Sequence, residues 1–217
     1  MIFASSHLKD IESAIKPYPA LRLISNGFPE IVGTWHVQHQ GEILVSYEIR
    51  ITFDAEYPHS LPKVYEVSGK IARSPDMHLN PPDWHACLFV SHQRWEIWPI
   101  GSPFGYFLDL PVHNFFLGQA HYAAIGYWPD HRERSHGDCG IIEYYREKFN
   151  CLDPNVILNL LTSQIPDKIP RQRRCLCDKQ KRLKYCHGPV AKLIQKNQEP
   201  VLLRQAIEIF RQQAAKK

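Results

Sequence analysis

The sequence predicts an α+β fold in which an antiparallel meander of strands packs with helices, and three observations support this prediction. Apolar and polar residues alternate through much of residues 33–68, the period of strands with one buried face. Apolar residues recur at spacings of three and four before and after this stretch, the period of helices. A proline-rich segment with little periodicity, residues 71–105, separates the strands from the later helices.

The elements follow one another in a simple order along the chain. The sequence predicts a helix over residues 6–16, strands over 33–40, 43–53 and 63–68, and helices over 109–126, 139–149, 154–164 and 200–213. Ser6 can cap the first helix, and Gly41-Glu42 suits a tight turn between the first two strands. Asp153 followed by Pro154 is typical of a helix start. The long irregular segment is of a length that usually serves a function in a compact domain.

Composition excludes several classes of protein. The chain has 217 residues, of which 44% are hydrophobic and 22% charged, an ordinary globular balance. This length allows one substantial domain and a small appendage. No apolar run approaches the roughly 20 residues that span a membrane, and the N-terminus lacks the character of a signal peptide. We therefore expect a cytoplasmic protein without membrane association.

Charge is distributed unevenly. Residues 171–217 hold 13 Lys or Arg against three Asp or Glu, a net charge of +10, whereas residues 1–170 hold 13 against 19, a net charge of −6. A basic tail is typical of a solvated surface, and it also suits an acidic partner or nucleic acid.

The six cysteines divide into singles and a cluster, and in a reducing compartment we expect thiols, metal ligands or nucleophiles rather than disulfides. The cluster has the pattern Cys-x-Cys-x8-Cys-His, formed by Cys175, Cys177, Cys186 and His187. Three thiols and an imidazole are a tetrahedral ligand set that zinc prefers. The segment is too short to build a core, so a structural zinc would supply its folding energy.

The cluster resembles the SEC-C motif, a small zinc motif found at the C-terminus of the bacterial secretion ATPase. Asp178-Lys179-Gln180 stands where that motif has Gly-Ser-Gly. The resemblance implies recognition of a protein partner. The basic side chains that flank the cluster also leave contact with nucleic acid open; they are Arg171, Arg173, Arg174, Lys179, Lys181, Arg182 and Lys184.

Four motifs occur in order around Cys87, in the irregular segment. Residues 57–64 read Tyr-Pro-His-Ser-Leu-Pro-Lys-Val, residues 78–80 read His-Leu-Asn, residues 86–88 read Ala-Cys-Leu, and Trp95 lies eight residues after Cys87. They resemble the Tyr-Pro-x-x-x-Pro-Lys-Val, His-Pro-Asn and Ile-Cys-Leu motifs and the tryptophan of ubiquitin-conjugating enzymes. The likeness covers roughly residues 6–130.

The resemblance implies a ubiquitin-conjugating-enzyme-like fold with Cys87 as the thiol that carries an acyl group. A thiolate is the nucleophile that accepts an acyl group from another thioester. Asn80 would donate a hydrogen bond to the tetrahedral oxyanion, or else hold the loop, and His78 would be a structural partner of the same loop. Trp84, Trp95 and Trp98 are most simply loop-packing aromatics.

This chain also departs from the family pattern. Leu79 replaces the proline of the triplet, and Ile97 stands where a proline is expected after Trp95. His85 lies two residues before Cys87, and in an extended segment the two side chains share a face. An imidazole there could lower the pKa of the thiol or act as a general base. The alternative for His85 is an ordinary packed or surface histidine. A metal site from His78, His85 and Cys87 lacks a fourth ligand at a suitable spacing.

The sequence thus predicts a conjugating-type catalytic domain over 1–165, a zinc motif over 166–190 and a C-terminal helix over 191–217. It resembles the stand-alone conjugating-enzyme-like proteins of short type II CBASS antiphage operons. By that resemblance, the partner is a protein with a C-terminal glycine, either a cyclic-oligonucleotide synthase or a ubiquitin-like protein, and the acyl group passes to an amine.

Three alternatives remain open: a thiol hydrolase that cleaves a peptide precursor, a catalytically silent partner-binding module, and a zinc-dependent nucleic-acid binder. Only the basic tail favours the last, so we do not expect nucleic acid as a partner. The chain carries no Gly-rich nucleotide loop.

Overall fold

The computed structural model describes residues 3–25, 27–128, 135–177 and 180–216. It is an α+β protein, as predicted, with a four-stranded antiparallel sheet, helices and a Cys/His cluster. The strands are β1 (Leu21–Ile24), β2 (Glu30–His39), β3 (Glu42–Thr52), β4 (Lys63–Glu66), β5 (Leu79–Asn80) and β6 (His85–Ala86). The helices are α1 (Ser5–Ile15), α2 (Arg94–Ile97), α3 (Phe104–Phe107), α4 (His113–Ile125), α5 (Gly137–Phe149), α6 (Pro154–Thr162), α7 (Gly188–Asn197) and α8 (Pro200–Ala215).

The chain forms two compact units. The first comprises Met1–Phe89 and Glu96–Glu133, and the second comprises Val90–Trp95 and Arg134–Lys217. The boundaries predicted at 165 and 190 both fall inside the second unit. The physical reason is that α5 and α6 share one apolar core with the cysteine segment and the C-terminal helix. Within the described residues, no helix has the length and apolar character needed to cross a membrane.

The sheet of the first unit has the strand order β1-β2-β3-β4, each strand antiparallel to the next. Its central hairpin pairs His39 with Glu42, so the two-residue turn is Gln40-Gly41, one residue earlier than predicted. Both turn residues have positive φ, 51° and 85°, as a turn matched to the twist of the flanking strands requires. The third predicted strand ends early, at Glu66, because the Glu66 carboxylate accepts hydrogen bonds from the backbone of Ser68 and Gly69.

Strand β1 is short and was not predicted. It runs beside β2, where Gly33 pairs with Leu21. A Cβ on Gly33 would lie 2.0 Å from the carbonyl oxygen of Ala20, so only glycine allows the backbone before β1 to approach this closely.

Helices cover the apolar residues of this sheet. Ile11 of α1, predicted on its apolar face, is fully buried. The Asp10 carboxylate accepts a hydrogen bond from the backbone N–H of Phe104 over 2.9 Å, where α3 begins. From there the chain stays helical through a π-helical segment, Leu108–Val112, into α4. The helix predicted from residue 109 therefore begins five residues earlier, after Pro103, and Pro111 lies within the π segment, as is usual where proline interrupts the regular ladder.

The second unit is helical around its own core, which includes Tyr144, Tyr145 and Phe210. The predicted cap of α6 is confirmed, because the Asp153 carboxylate accepts the backbone N–H of Asn155. The region predicted as one C-terminal helix over 191–217 contains two, because α7 ends before Pro200 starts α8. Helix α7 begins directly after His187 of the Cys/His cluster.

Candidate active site and metal centre

Cys87 follows a short hairpin in which β5 pairs with β6. Asn80 and His85 lie opposite each other in this hairpin, and the backbone N–H of Cys87 donates to the carbonyl of His78 over 2.7 Å. Side chains of directly opposed residues share one face of a strand pair. The structure therefore brings together the four residues that the sequence indicated.

His78 contacts the cysteine through its backbone. It has a left-handed conformation, φ 52° and ψ 42°, at the end of a 3-10 turn, and its ring lies edge-on to Trp128 with the centroids 4.6 Å apart. The carbonyl that accepts from Cys87 thus belongs to a residue whose backbone is fixed by a turn. This geometry fits the loop-holding role implied for His78.

The side chain of Asn80 lies between His85 and Cys87. Its Nδ2 is 3.2 Å from Nε2 of His85, and the side chain lies near enough to the Cys87 thiol to influence its pKa. Burial raises the pKa of that thiol above its ordinary value, and the hydrogen bond from Asn80 lowers the pKa by a smaller amount. The resting side chain is therefore a neutral thiol near pH 7.

Asp83, in the turn of the hairpin, is part of the site although the sequence did not single it out. Its Oδ1 is 2.6 Å from Nδ1 of His85, and its Oδ2 accepts hydrogen bonds from Lys63 Nζ at 2.7 Å and Tyr65 Oη at 3.1 Å. Burial would raise the pKa of Asp83, but the hydrogen bonds from Lys63, His85 and Tyr65 outweigh it and hold that pKa well below its usual range. The signal in the sequence was Asp83 itself, two residues before His85 in a Pro-Pro-Asp-Trp turn.

His85 contacts Asp83 and Asn80 rather than the sulfur. In the part of the chain that the structure describes, no imidazole nitrogen makes a hydrogen bond to Sγ of Cys87. The fold therefore does not make the direct contact between His85 and the thiol that alternation along the strand suggested.

The second cluster lies in the second unit. Ligand atoms of Cys175, Cys177, Cys186 and His187 all lie within 4.8 Å of one another. Nδ1 of His187 is 3.1 Å from Sγ of Cys175 and 3.5 Å from Sγ of Cys186, and the sulfurs of Cys177 and Cys186 are 3.4 Å apart. A tetrahedral zinc with Zn–S bonds of about 2.3 Å places its sulfurs roughly 3.8 Å apart. The four residues could therefore hold a metal ion.

The chemistry of these donors also fits a cation. Cys175, Cys177 and His187 are buried, and polar groups in such surroundings need partners. Burial, followed by the neighbouring Cys177 and Cys175, raises the pKa of the Cys186 thiol to about 12. A bound divalent cation would stabilise the thiolate form of these cysteines, because thiolates rather than thiols are metal ligands.

The backbone of two short segments builds the cluster. Arg174 pairs with Arg182 in an isolated antiparallel bridge, and Cys175 N–H donates to the Lys181 carbonyl over 3.0 Å. Gly188, which starts α7, packs so closely that a Cβ would lie 2.6 Å from the Leu183 carbonyl oxygen. Of the three residues that stand where the SEC-C motif has Gly-Ser-Gly, Asp178 and Lys179 lie outside the described residues, and Gln180 has a positive φ of 50°.

The surface around the cluster is basic. Among the flanking side chains, Arg171, Arg174, Lys181, Arg182 and Lys184 are exposed, as are the apolar Leu176 and Tyr185. This surface suits an acidic partner by charge.

Comparison of the chain with protein-family models, curated proteins and solved structures gives no match.

Proposed function

We propose that this chain is an acyl carrier of the ubiquitin-conjugating type and that Cys87 is its nucleophile. The observation that carries the proposal is the pairing of a partly buried, neutral thiol with a side-chain amide donor, Asn80, held on the hairpin that precedes it. An acyl carrier needs a nucleophile that can be acylated and a donor for the oxyanion, and it does not need a strong base beside the resting thioester.

The reaction has two steps. The thiolate of Cys87 attacks the carbonyl carbon of a thioester at the C-terminal glycine of a protein partner, the new C–S bond forms, and the donor sulfur leaves and takes up a proton. An amine then attacks the Cys87 thioester, an amide bond forms, the sulfur of Cys87 leaves, and the proton of the amine ends on the thiol or in water. Both steps pass through a tetrahedral oxyanion.

Asn80 is suited to stabilise that oxyanion, because an amide N–H is a neutral donor and does not itself ionise. Donors of this kind are worth roughly 3–4 kcal/mol of transition-state stabilisation. The position of Asn80 against the thiol supports this role, and the loop-holding role for Asn80 is compatible with it because His85 fixes the same amide.

The wider assignment follows from the motifs and the fold class together. The order of a helix, an antiparallel meander, a cysteine-bearing loop segment and further helices supports a ubiquitin-conjugating-like first unit. On the resemblance to short type II CBASS proteins, the protein works in antiphage defence in the cytoplasm, and its partner is a cyclic-oligonucleotide synthase or a ubiquitin-like protein.

For the second unit we propose structural zinc, held by Cys175, Cys177, Cys186 and His187. Three thiols and an imidazole fill the tetrahedral set, so zinc there organises the fold and leaves no open position for chemistry. The SEC-C resemblance and the basic surface support a role in holding a protein partner.

The proposal is tested with a short peptide thioester ending in glycine, used in place of the protein donor. Incubation should add one peptide mass to the protein, and the adduct should be removed by thiol and absent from Cys87→Ala. The matched control is Cys139→Ala, an exposed cysteine that should leave the adduct unchanged. An adduct that persists in Cys87→Ala, or none on the native chain, would exclude Cys87 as an acyl carrier.

A thiol hydrolase is the second candidate, and the bond between Asp83 and His85 favours it, because a carboxylate-oriented imidazole is the base of such enzymes. The two functions differ in what discharges the acyl group. A carrier transfers the peptide to added lysine much faster than to water, whereas a hydrolase releases free peptide at the same rate with or without lysine. A silent binding module forms no adduct.

A further inference from the structure

Asp83 determines which nitrogen of His85 carries the proton. Its carboxylate is held by Lys63 and Tyr65 of β4 through one oxygen, while the other lies 2.6 Å from Nδ1 of His85. A carboxylate is an acceptor only, so a neutral imidazole at this distance must carry its hydrogen on Nδ1. Nε2 of His85 is then an acceptor.

The orientation of Asn80 follows from that tautomer. Its side-chain nitrogen is 3.2 Å from Nε2 of His85, and only the amide N–H₂ can satisfy an accepting nitrogen. One amide hydrogen is thus directed to His85, and the second is available to the sulfur of Cys87. If the amide rotated by half a turn, its oxygen would face the lone pair of Nε2, and two acceptors would oppose each other.

We propose that Asp83 and His85 form a positioning pair that holds the amide of Asn80 with its N–H₂ group toward Cys87. The inference rests on the proposed function, because it explains how the oxyanion donor of that reaction is kept in place. His85 acts through Asn80, and Asp83 acts through His85. The anchor on β4 ties the pair to the sheet.

The test measures the rate at which the Cys87-linked glycine peptide is discharged to lysine at neutral pH. Asn80→Ala should slow discharge about 100-fold, the usual effect of losing an oxyanion donor. His85→Leu should slow it about tenfold, with no further slowing on the Asn80→Ala background, because groups that act through one another are not additive. His85→Gln, whose amide oxygen can accept from Asn80, should recover part of the lost rate.

Two outcomes overturn the positioning pair. One is equal discharge by the native chain and His85→Leu. The other is that His85→Leu slows Asn80→Ala by the same factor, since His85 would then act directly on the reaction. If instead no peptide is attached to Cys87 of the native chain, the proposed function fails.

In that case the positioning pair can still be tested by NMR, which requires no enzymatic activity. In the full ¹⁵N-labelled chain, the nitrogen shifts of His85 should report the Nδ1–H tautomer at neutral pH, and Asp83→Leu should release it. The Nε2–H tautomer in the native chain would overturn the inference.

Discussion

Cys87 and the three cysteines of the Cys/His cluster place the same functional group in opposite settings. Cys87 has an amide neighbour, and burial keeps its thiol protonated. The cluster thiols face one another and an imidazole within 4.8 Å, where a cation would ionise them. A single buried thiol beside a hydrogen-bond donor is suited to accept an acyl group, whereas a closed set of four donors is suited to hold a fold together. The two sites therefore differ in the number of metal-ligating side chains around each thiol, which favours acyl transfer at Cys87 and metal binding at the cluster.

The largest expected effect is the loss of protection when the metal is removed. In the zinc-loaded chain, N-ethylmaleimide should modify the exposed Cys139 and spare the cluster thiols, because ligation occupies their sulfurs. A chelator should raise the modification rate of Cys175, Cys177 and Cys186 at least about tenfold, because the sulfurs are no longer ligated and the segment loses the folding energy that the metal supplies. Mass spectrometry of the labelled peptides measures it. Equal labelling with and without chelator would contradict the proposal that the Cys/His cluster binds a metal ion.

Loss of one ligand should have the next largest effect. Cys175→Ser should reduce zinc from about one equivalent to less than half and lower the unfolding temperature, because metal binding supplies folding energy to such segments. Metal analysis by mass spectrometry and calorimetry measure the two quantities. Cys139→Ser lies in the same unit and should retain full zinc content. Full zinc in both variants would contradict the ligand assignment.

The close packing of Gly188, at the start of α7, should make this position intolerant of a larger side chain. In Gly188→Ala the new Cβ would meet the carbonyl of Leu183 and the side chain of Ile169 at 2.6 and 2.7 Å. We expect a loss of about 1–3 kcal/mol in the free energy of unfolding, as for other overpacked sites, measured by denaturant titration of the zinc-loaded chain.

The matched change is Gly118→Ala in α4, where the Cβ would lie 3.7 Å from the ring of Trp128. That substitution should be neutral or stabilise by about 0.5–1 kcal/mol, because alanine is the better helix former. A stable Gly188→Ala chain would mean that the start of α7 can shift away from the cluster.

The pH dependence of acylation should report the raised pKa of Cys87. Because burial raises the pKa of this thiol, its thiolate fraction should reach one half at a higher pH than that of free cysteine, which is half ionised near pH 8.5. The rate of reaction with the glycine thioester should therefore increase about tenfold per pH unit and level off at a higher pH than the same reaction of N-acetylcysteine. In Asn80→Ala the rate should level off at a still higher pH, since Asn80 lowers the pKa of the thiol. A rate that levels off at a lower pH than that of free cysteine would contradict the burial of the thiol.

Local patterns made much of the fold predictable. Alternation in residues 45–53 located β3, and the Asp153-Pro154 start of α6 is a local capping signal. The Cys/His cluster was also readable, because its members are close in sequence and their spacing is typical of metal ligands. In each of these cases the interaction that fixes the structure joins residues near one another in the chain.

Non-local contacts were not predictable. β1 is four residues long and exists because Gly33 lets the chain before it approach β2. The contribution of Asp83 depends on Lys63 and Tyr65, about twenty residues earlier, and no periodicity reports such a contact. The sequence could place His85 and Cys87 on one face, but the amide between them comes from the opposite strand of a two-residue pairing. The division into two compact units also depends on such contacts, because shared burial determines it.

The compactness of the hairpin segment has a consequence for how this chemistry could be inherited. Asn80, Asp83, His85 and Cys87 lie within eight consecutive residues, and the lysine and tyrosine that anchor Asp83 sit on one adjoining strand. A single short stretch of coding sequence therefore encodes the proposed nucleophile, its proposed donor and the pair proposed to orient that donor. Recombination or grafting can move these parts together, and a host scaffold needs to supply only the edge of a sheet with a cation and a hydroxyl at the right register.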